Sequence, residues 1–379
     1  MSRALIFTDW YFPGYKAGGP IQSCRNLVKM LGSEMDFYVL TSDTDLNESQ
    51  PYANIRAEEW VDGPEREKVY YAKNGGISAA AIRRIVKGLK PDIIYFNSMF
   101  SARFTILPLI TLKLMRFSGK LVLAPRGMLH EGALFFKTGK KKLFLHLFRL
   151  LKWHKQIHFH ATDIQEKKDI ETYFPRSRII IAENIPAVGI TYKEHSHKQA
   201  SLLRLVFFSR LHPKKNPEYI LRLLNKNEFS GDIYFDIFGD ASSQSYLDSC
   251  KQLANELSSN IRVRFMRGAA QEEILNRISD YDAFVLPTLG ENFGHVIFES
   301  LMSGIPVLIS DQTPWRNLSA THAGWDIPLD RPEIFTEKIR ELLAMDNTVH
   351  QQWRRGARSH AEMFLKNADF TRKYLELFQ

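Results

Sequence analysis

The chain has 379 residues, which is enough for two domains of ordinary size, each with its own hydrophobic core. Hydrophobic residues make up 44% and charged residues 25%, as is typical of a soluble globular protein. The two cysteines, Cys24 and Cys250, are far apart and lack metal-ligand spacing. They argue against a disulfide scaffold or a zinc site and indicate a reducing cytoplasm. The net charge of +9 indicates an acidic partner, whether nucleic acid, anionic lipid or a phosphorylated substrate.

The beginning of the sequence shows no signal-peptide pattern, because Asp9 comes before any long apolar run. The most hydrophobic stretch, residues 104–115, is shorter than the roughly 20 apolar residues that a spanning helix needs. It also contains Pro108 and Lys113. We therefore expect a cytoplasmic protein that does not span a membrane.

Strand and helix patterns alternate along the first half of the chain. Short apolar runs bounded by turn residues predict buried strands, and apolar residues at helical spacing predict the helices between them. This alternation predicts a right-handed parallel sheet covered on both faces. A polar segment at 45–67 is expected to be a surface excursion. The predicted strands are 4–8, 37–40, 68–72, 93–96, 120–124, 157–161 and 179–182, with helices from 21 and 162 and near 78–89 and 102–117.

Two loops that follow these strands are candidate ligand-binding segments, because open α/β sheets place ligands at the carboxyl ends of strands. The loop 9–20 is rich in glycine and leads into a helix, which can bring backbone amides up to a phosphate. It lacks the G-x-G-x-x-G spacing, so Gly18 and Gly19 by themselves indicate a tight turn. The turn 125–129 has the sequence PRGML, and His130 beside it is expected to be a surface residue.

The most basic stretch of the chain, 134–156, alternates cations with leucine and aromatic residues. Such a helix suits a membrane surface bearing anionic lipid. The alternative is a helix that packs on the core and keeps its lysines solvated. No nucleic-acid-binding motif accompanies it, so we expect no nucleic-acid partner. The cations are Lys137, Lys140, Lys141, Lys142, Arg149, Lys152 and Lys155.

The second half begins after a polar segment, 186–201, that we interpret as an interdomain linker. Strands are predicted at 203–208, 233–238, 261–265, 283–286 and 306–309, with final helices near 332–344 and 349–377.

Arg210 and Lys215 follow the first of these strands, five residues apart. Arginine can grip a diphosphate with two hydrogen bonds, and lysine can hold it as a point charge. A basic, solvated turn is the alternative, and it is disfavoured because Arg210 follows a buried strand.

Residues 283–307 carry the most informative pattern. A short strand ends at Pro287, a polar loop with Glu291 and Gly294 follows, and a helix begins at His295. Helix N-termini bind phosphate through unpaired amides, and Gly294 would let a ligand approach them closely. Glu291 and Glu299 are expected to accept hydrogen bonds from the hydroxyls of sugars or riboses. Two solvated glutamates beside a tight turn remain the alternative, since a pattern match alone is a hypothesis.

The block Glu291-x7-Glu299, with Pro287 before it and the sequence GIPV at 304–307 after it, resembles the E-x7-E signature of the family 4 retaining glycosyltransferases. The resemblance implies the GT-B fold, an α/β architecture with two facing Rossmann-like domains, parallel sheets and an interdomain cleft. It implies that Glu299 holds the donor ribose and that Glu291 contacts the transferred sugar or the nearby phosphate. The other implied donor-binding residues are Gly18, Gly19, Gly239, Arg267, Gly268, Asn292, Phe293, Gly294, His295 and Val296.

The resemblance also bears on the domains and on the turn 125–129. It implies an acceptor domain at 1–188 that receives the last helix, about 360–379, and a nucleotide-sugar donor domain at 200–359. Many family members carry a histidine at this turn, whereas this chain has Arg126, as in a PRGML-type subgroup that makes surface polysaccharides. Arg126 is therefore expected to contact a phosphate of the donor or acceptor, and the roles of Arg126 and His130 stay open.

Two D-x-D sequences, at 43–45 and 280–282, match the metal–diphosphate motif of the other glycosyltransferase fold. Acid pairs of this length arise easily by chance, and both lie where caps and turn acids are common. We interpret them as structural and expect no metal and no cofactor other than the nucleotide-sugar substrate. The residues expected to act in catalysis are Arg126, Arg210, Lys215 and Glu291.

The predicted reaction moves a sugar from a UDP- or GDP-sugar to an acceptor hydroxyl with retention at the anomeric carbon. A lipid-linked oligosaccharide is the expected acceptor, in bacterial surface-polysaccharide assembly at the inner face of the membrane. A nucleotide-sugar epimerase, a non-catalytic sugar-binding or scaffold protein and a nucleic-acid binder are the alternatives. The sequence does not identify the sugar, the base, the linkage or the oligomeric state.

Overall fold

The computed structural model describes residues 1–130, 138–187, 189–192 and 197–379, with backbone only at 138 and 140. It divides into two compact units, Met1–Pro186 with Asp369–Gln379, and Ala187–Ala368. Residues 360–368 were predicted to belong to the first domain, as part of the last helix. They lie in the second unit instead. Residues 134–137 of the basic stretch lie outside the described part of the chain.

The strands are Ser2–Phe7 (β1), Met35–Ser42 (β2), Trp60–Asp62 (β3), Lys68–Ala72 (β4), Ile93–Phe96 (β5), Lys120–Leu123 (β6), His158–Ala161 (β7), Arg178–Ile181 (β8), Leu202–Phe208 (β9), Asp232–Phe238 (β10), Ile261–Met266 (β11), Ala283–Leu286 (β12), Val307–Ser310 (β13) and Gly324–Ile327 (β14).

The α-helices are Gly19–Leu31 (α1), Ala79–Leu89 (α2), Leu107–Leu114 (α3), Thr138–Leu150 (α4), Ile164–Tyr173 (α5), Pro217–Lys226 (α6), Gln244–Asn255 (α7), Gln271–Arg277 (α8), His295–Met302 (α9), Pro332–Ala344 (α10), Asn347–Asn367 (α11) and Phe370–Phe378 (α12). Several begin at a side chain that accepts a hydrogen bond from a first-turn amide. Ser78 accepts from Ala81 N at 3.2 Å, and Asp163 accepts from Glu166 N at 2.7 Å.

The sheet of the first unit has the strand order β3-β4-β2-β1-β5-β6-β7-β8. All its pairs are parallel except β3 with β4. The central strands are apolar on both faces, as a parallel sheet covered by helices requires. Leu5, Phe7, Ile94, Phe96 and Leu123 are all fully buried.

The sheet of the second unit has the order β11-β10-β9-β12-β13-β14, and every pair is parallel. Its core includes Leu205, Phe207, Ile237, Val285 and Leu308, none of which is exposed. A two-domain α/β fold with largely parallel sheets is therefore confirmed. The adjacency of β9, β12 and β13 brings the loops that follow them to one edge of this sheet.

The structure corrects several predicted elements. The segment 45–67 includes the short strand β3, whose Trp60 packs its ring against Tyr70. The helix predicted at 102–117 is a π-helix at Ala102–Ile106 followed by α3. The helix predicted at 349–377 is two helices, because the Asp369 side chain accepts a hydrogen bond from Arg372 N at 3.1 Å and starts a new one. Strand β14 was not predicted.

Candidate active site

In the second unit, the loop after β9 and the loop after β12 are tied together by hydrogen bonds. Leu289 N donates to Lys214 O at 2.7 Å, and Thr288 Oγ1 donates to the same carbonyl at 3.1 Å. The loop after β13 joins them, since Glu291 N donates to Gln312 O at 2.9 Å. These bonds fix the position of the Glu291 backbone relative to Lys215. The loops therefore hold the two side chains close enough to contact each other.

Lys215 Nζ donates to Glu291 Oε2, and the two side chains are only 16% and 17% exposed. Burial alone would raise the pKa of Glu291, but Lys215 outweighs it, with Lys214 and His295 adding to the effect. The pKa of Glu291 therefore lies below its usual value, and the group is an anion at neutral pH. An ionised carboxylate can accept hydrogen bonds from hydroxyls but has no proton to give.

Arg210 follows β9 as predicted, but its side chain is exposed. Partial desolvation lowers the pKa of Arg210, while the charge of Glu291 raises it, which places the guanidinium near that carboxylate. The guanidinium has no hydrogen-bond partner among the described residues. Arg210, Lys215 and Glu291 thus form one cluster, and Lys214 beside them adds a further positive charge.

Helix α9 begins beside this cluster. Its first residue follows Gly294, which has φ 78° and ψ 65° in the left-handed region. A Cβ at this position would lie 2.6 Å from Ile297 Cδ1, so both backbone and space require glycine. The amides of Ile297 and Phe298 turn back to Gly294 O, at 2.9 and 3.2 Å. The N-terminus of α9 therefore presents its partial positive charge next to Arg210 and Lys215.

Glu299, one turn further along α9, is 2% exposed. Its carboxylate accepts a hydrogen bond from Gln271 Nε2 of α8. Burial raises the pKa of Glu299 to about 7, because this neutral amide compensates only part of the lost hydration. Gln271 was not among the predicted site residues. No spacing in the sequence connects two helices 28 positions apart.

Most of the remaining predicted donor-site residues of the second unit are in close contact with other residues of that unit. A Cβ on Gly239 would lie 1.8 Å from Ser209 O, and one on Gly268 would lie 2.7 Å from Asp240 Oδ2. Phe293 is buried and its carbonyl accepts a hydrogen bond from Trp315 Nε1 at 2.5 Å. These contacts account for the glycines and for Phe293 without a ligand.

Two further members of the predicted set differ in exposure. His295 is buried with its ring 4.9 Å from that of Phe293. Arg267 is exposed. Asn292 lies in the loop after β12, and Val296 follows His295 in the first turn of α9, whereas Arg267 follows β11. The assignment of these residues to the nucleotide stays a prediction.

In the first unit, Gly18 and Gly19 form the entrance to α1. Gly18 has φ 66°, and a Cβ placed on it would meet nothing within 4 Å. Its backbone conformation, rather than crowding, therefore favours glycine. The predicted contact of these two glycines with a diphosphate stays a prediction.

Arg126 lies in the left-handed region at φ 55°, in the turn after β6. Its Nε donates to Asn97 Oδ1 at 2.8 Å, its Nη2 to Tyr95 Oη at 2.7 Å, and its Nη1 to Asn184 Oδ1. All three nitrogens of the guanidinium thus have neutral partners within the first unit. This network holds the turn in place, and the predicted phosphate contact of Arg126 stays a prediction.

The neighbours of Arg126 in the turn are also tied down. Gly127 N donates to Glu166 Oε1 at 2.6 Å. His130 is exposed, with Nδ1 3.2 Å from Asp169 Oδ2. These contacts show a well-supported turn at the carboxyl end of β6.

The acids of the two D-x-D sequences bond mainly to backbone amides. Asp43 Oδ1 accepts from Gly75 N at 3.1 Å, and Asp45 Oδ2 accepts from Tyr15 N at 2.9 Å. Asp282 Oδ2 accepts from Arg204 N at 2.7 Å. Over the described ranges, no group of three or more His, Cys, Asp or Glu residues is arranged to hold a metal ion.

A family model described as "Glycosyl transferases group 1" matches residues 191–360, which is most of the second unit. The second unit carries a glycosyltransferase domain. The protein is accordingly a glycosyltransferase enzyme, and the cluster of Arg210, Lys215 and Glu291 with the start of α9 lies inside the matched region. A search of curated proteins found no match.

Solved structures similar to this glycosyltransferase share its fold across nearly the whole chain. HepE from Anabaena, solved in complex with UDP and glucose, has a TM-score of 0.71 at 16% identity, covering 100% of this chain and 98% of its own. WaaG, a glycosyltransferase involved in lipopolysaccharide biosynthesis, has a TM-score of 0.67 at 14% identity, with coverage of 97% and 96%. Sucrose-phosphate synthase from Thermosynechococcus elongatus has a TM-score of 0.70 at 13% identity, with coverage of 100% and 97%. The GT-B fold is therefore confirmed.

The length and apolarity of each helix show whether it could span a membrane. In the part of the chain that the structure describes, no helix is both long and apolar enough to cross a membrane.

Proposed function

We propose that this glycosyltransferase is a family 4 retaining enzyme that transfers a sugar from a nucleotide diphosphate sugar to an acceptor hydroxyl. The observation that carries the proposal is the cluster beside α9, in which Lys215 contacts an ionised Glu291. A cation, an exposed arginine and a helix N-terminus together suit a diphosphate, and the adjacent carboxylate suits sugar hydroxyls. A purely structural ion pair would not need the unpartnered Arg210 beside it.

The main catalytic effect is electrostatic stabilisation of the leaving group. The bond between the anomeric carbon and the diphosphate oxygen breaks, and negative charge develops on that oxygen. Arg210, Lys215 and the first amides of α9 hold this charge. The acceptor hydroxyl attacks the same face of the sugar, and its proton passes to the departing phosphate. No protein nucleophile is required in this mechanism.

Glu291 positions the transferred sugar in this mechanism. Its lowered pKa keeps it ionised, so it accepts hydrogen bonds from sugar hydroxyls and does not serve as a general acid. When the diphosphate binds, it brings a second anion close to the Glu291 carboxylate. Lys215 can shift its hydrogen bonds between the carboxylate and the diphosphate, so that both charges are balanced.

Glu299 is proposed to accept hydrogen bonds from the ribose hydroxyls of the donor. Its carboxylate accepts a hydrogen bond from a neutral amide, that of Gln271, which ribose hydroxyls would replace. UDP and UDP-glucose in the HepE structures support a uridine nucleotide as the donor here, among the two bases that the resemblance allows.

The acceptor is proposed to be a lipid-linked oligosaccharide in bacterial surface-polysaccharide assembly. The role of WaaG in lipopolysaccharide biosynthesis supports this class of pathway. A peripheral contact with anionic membrane is proposed through α4 and the residue that follows it. Leu143, Leu147, Leu150 and Leu151 recur at helical spacing and are 44–66% exposed.

The environment of this leucine row favours a membrane over simple solvation. The opposite side of α4 packs against the core of the first unit through Phe144, Leu145 and Phe148. Of these, Leu145 and Phe148 are buried. Exposed Lys142 and Arg149 flank the leucines. An apolar row beside cations is the pattern of a helix lying in an interface that carries anionic lipid.

The reaction can be tested without knowing the acceptor, because water can replace it slowly. The protein is incubated with UDP-α-sugars, and the anomer of the released sugar is followed by NMR before it equilibrates. We expect release of the α-anomer first, with the same outcome in the control variant Lys251→Ala and strong loss in Lys215→Ala. Initial release of the β-anomer would contradict retention. Conversion of the donor to another nucleotide sugar would indicate an epimerase.

A further inference from the structure

Lys214 lies in the loop after β9, directly before Lys215, and no part of the mechanism above uses its charge. Its side chain is exposed. Its Nζ atom has no hydrogen bond or ion pair with any residue that the structure describes. A lysine ammonium is a compact charge with three hydrogen-bond donors. Lys214 can therefore receive an anionic group of a ligand.

The loop after β12 fixes the position of Lys214. Leu289 N and Thr288 Oγ1 both donate to Lys214 O, at 2.7 and 3.1 Å. The side chain runs along Gly290, because a Cβ added to that glycine would lie 3.6 Å from Lys214 Cε. Gly290 directly precedes Glu291, the residue proposed to position the transferred sugar. The Lys214 ammonium therefore lies beside the proposed position of that sugar.

The charges around Lys214 repel it more than they attract it. Lys215 contacts Glu291 directly, so the carboxylate of the cluster already has a partner. Partial desolvation and the charge of Lys215 lower the pKa of Lys214, and the charge of Glu291 opposes this only in part. An anion bound next to Lys214 would stabilise its charged form. The cluster is therefore suited to a further anion at this position.

A nucleotide sugar with a neutral sugar does not use all the positive charge of this site. Together with Lys214, the cluster holds three cations and one carboxylate, which leaves two positive charges. The start of α9 adds about half a charge. His212 adds none, because burial and the neighbouring cations lower its pKa and its Nδ1 accepts a hydrogen bond from Lys214 N at 3.0 Å. Each phosphate of the donor brings one negative charge, so some positive charge remains for the sugar itself.

We propose that Lys214 binds a carboxylate on the transferred sugar, so that the donor is a nucleotide-linked hexuronic acid. The proposal rests on the proposed transferase function, because it names the class of donor sugar that this site accepts. In a hexuronic acid a carboxylate replaces the primary alcohol of the parent hexose, which changes the charge of the sugar with little change in its size. Lys214 distinguishes the two sugars by that charge. The contact of Lys215 with Glu291 limits the repulsion between Glu291 and the carboxylate of the sugar.

The test compares matched pairs of nucleotide sugars by titration calorimetry on the full chain. The pairs are UDP-glucuronate with UDP-glucose, UDP-galacturonate with UDP-galactose, and GDP-mannuronate with GDP-mannose. Lys214→Gln removes the charge but keeps a side chain of similar shape, and Lys214→Arg keeps the charge. Lys251→Gln, at an exposed lysine on α7, is the matched control. UDP and GDP are titrated into every variant, which reports separately on the donor site.

We expect one uronate to bind about tenfold or more tightly than its parent hexose, since hydrogen bonds between charged groups are the strong ones. This preference should be lost in Lys214→Gln and kept in Lys214→Arg and Lys251→Gln. It should also shrink as the salt concentration rises, because Lys214 is exposed.

Equal or tighter binding of every parent hexose would overturn the proposal, and so would a uronate preference that persists in Lys214→Gln. If UDP or GDP binds in the same experiment, the donor site itself remains supported. Absence of binding by every nucleotide and nucleotide sugar would contradict both this proposal and the transferase function. The melting temperature of each variant shows that it is folded.

Discussion

The side-chain amide of Gln271 donates a hydrogen bond to the buried carboxylate of Glu299, joining α8 to α9. In the proposed mechanism a donor ribose replaces this amide as the partner of Glu299. An internal hydrogen bond thus satisfies this buried carboxylate. Because Gln271 is neutral, it offsets only part of the effect of burial, which raises the pKa of Glu299 to about 7.

Stability should depend on pH through Glu299. The native pKa of about 7 lies above the ordinary value of 4.5, so the native state binds more protons than the unfolded state between these values. The free energy of unfolding should therefore fall as pH rises from about 4.5 to 7. Glu299→Gln should flatten this part of the profile, whereas the exposed control Glu272→Gln should not. Denaturation midpoints measured at pH 5 and pH 8 check this, and equal slopes in all three proteins would contradict it.

Donor binding should depend strongly on the same carboxylate. Glu299→Ala removes the proposed partner of the ribose hydroxyls, and a hydrogen bond to a charged group contributes about 1.5–3 kcal/mol. We expect affinity for UDP to fall at least tenfold by calorimetry at pH 8, where Glu299 is ionised. Glu272→Ala on α8 serves as the control. Unchanged affinity in Glu299→Ala would remove Glu299 from the donor site.

Lys215 should have separable effects on stability and catalysis. Lys215→Ala leaves the Glu291 charge without its partner in a mostly buried position, which should destabilise the protein by about 3 kcal/mol. Turnover should fall by about 100-fold or more as leaving-group stabilisation is lost. The double variant Lys215→Ala with Glu291→Gln should regain most of the stability and none of the turnover. Recovery of turnover in the double variant would show that Lys215 acts only structurally.

Gly239 and Gly88 should respond in opposite directions to alanine. A Cβ on Gly239 would lie 1.8 Å from Ser209 O, so Gly239→Ala should destabilise the second unit by about 1–3 kcal/mol. Gly88 lies in α2 with nothing within 4 Å of an added Cβ, so Gly88→Ala should stabilise by about 0.5–1 kcal/mol. Denaturant unfolding measures both changes. A neutral Gly239→Ala would show that β9 and β10 can separate at this point.

The leucine row of α4 should control membrane binding. Changing Leu143, Leu147 and Leu150 together to serine should weaken co-sedimentation with phosphatidylglycerol vesicles roughly tenfold or more. Binding to phosphatidylcholine vesicles should be weak from the start, because the flanking cations then have no anionic partner. Met363→Ser, an exposed apolar residue on α11, is the control. Equal binding of the triple variant and the unaltered chain would leave α4 as an ordinary solvated helix.

Local patterns in the sequence predicted much of the fold. The strands at 68–72, 93–96 and 283–286 were predicted at their observed bounds, because short buried apolar runs end at polar residues or proline. The short β3 was missed because polar, turn-rich residues surround it and it depends on aromatic contacts with a neighbouring strand. The break before α12 was missed because the capping role of Asp369 depends on local backbone geometry.

The candidate site could be predicted from the sequence less completely than the fold. Spacing indicated Arg210, Lys215, Glu291 and Glu299 as site residues, but it did not predict the contact between Lys215 and Glu291, which depends on hydrogen bonds among three loops. Gln271 belongs to no linear pattern. It meets Glu299 where separate elements converge, which only the tertiary structure reveals.

We propose that Arg210, Lys215 and the start of α9 form a donor site that needs no metal ion. The most direct test is thermal stabilisation by UDP, GDP, ADP and their sugars, without added metal and then with EDTA. A ligand that binds only the native state raises the melting temperature, and we expect a uridine nucleotide to do so. That shift should be insensitive to EDTA and absent in Arg210→Ala. No shift with any nucleotide, or a shift abolished by EDTA, would contradict the account.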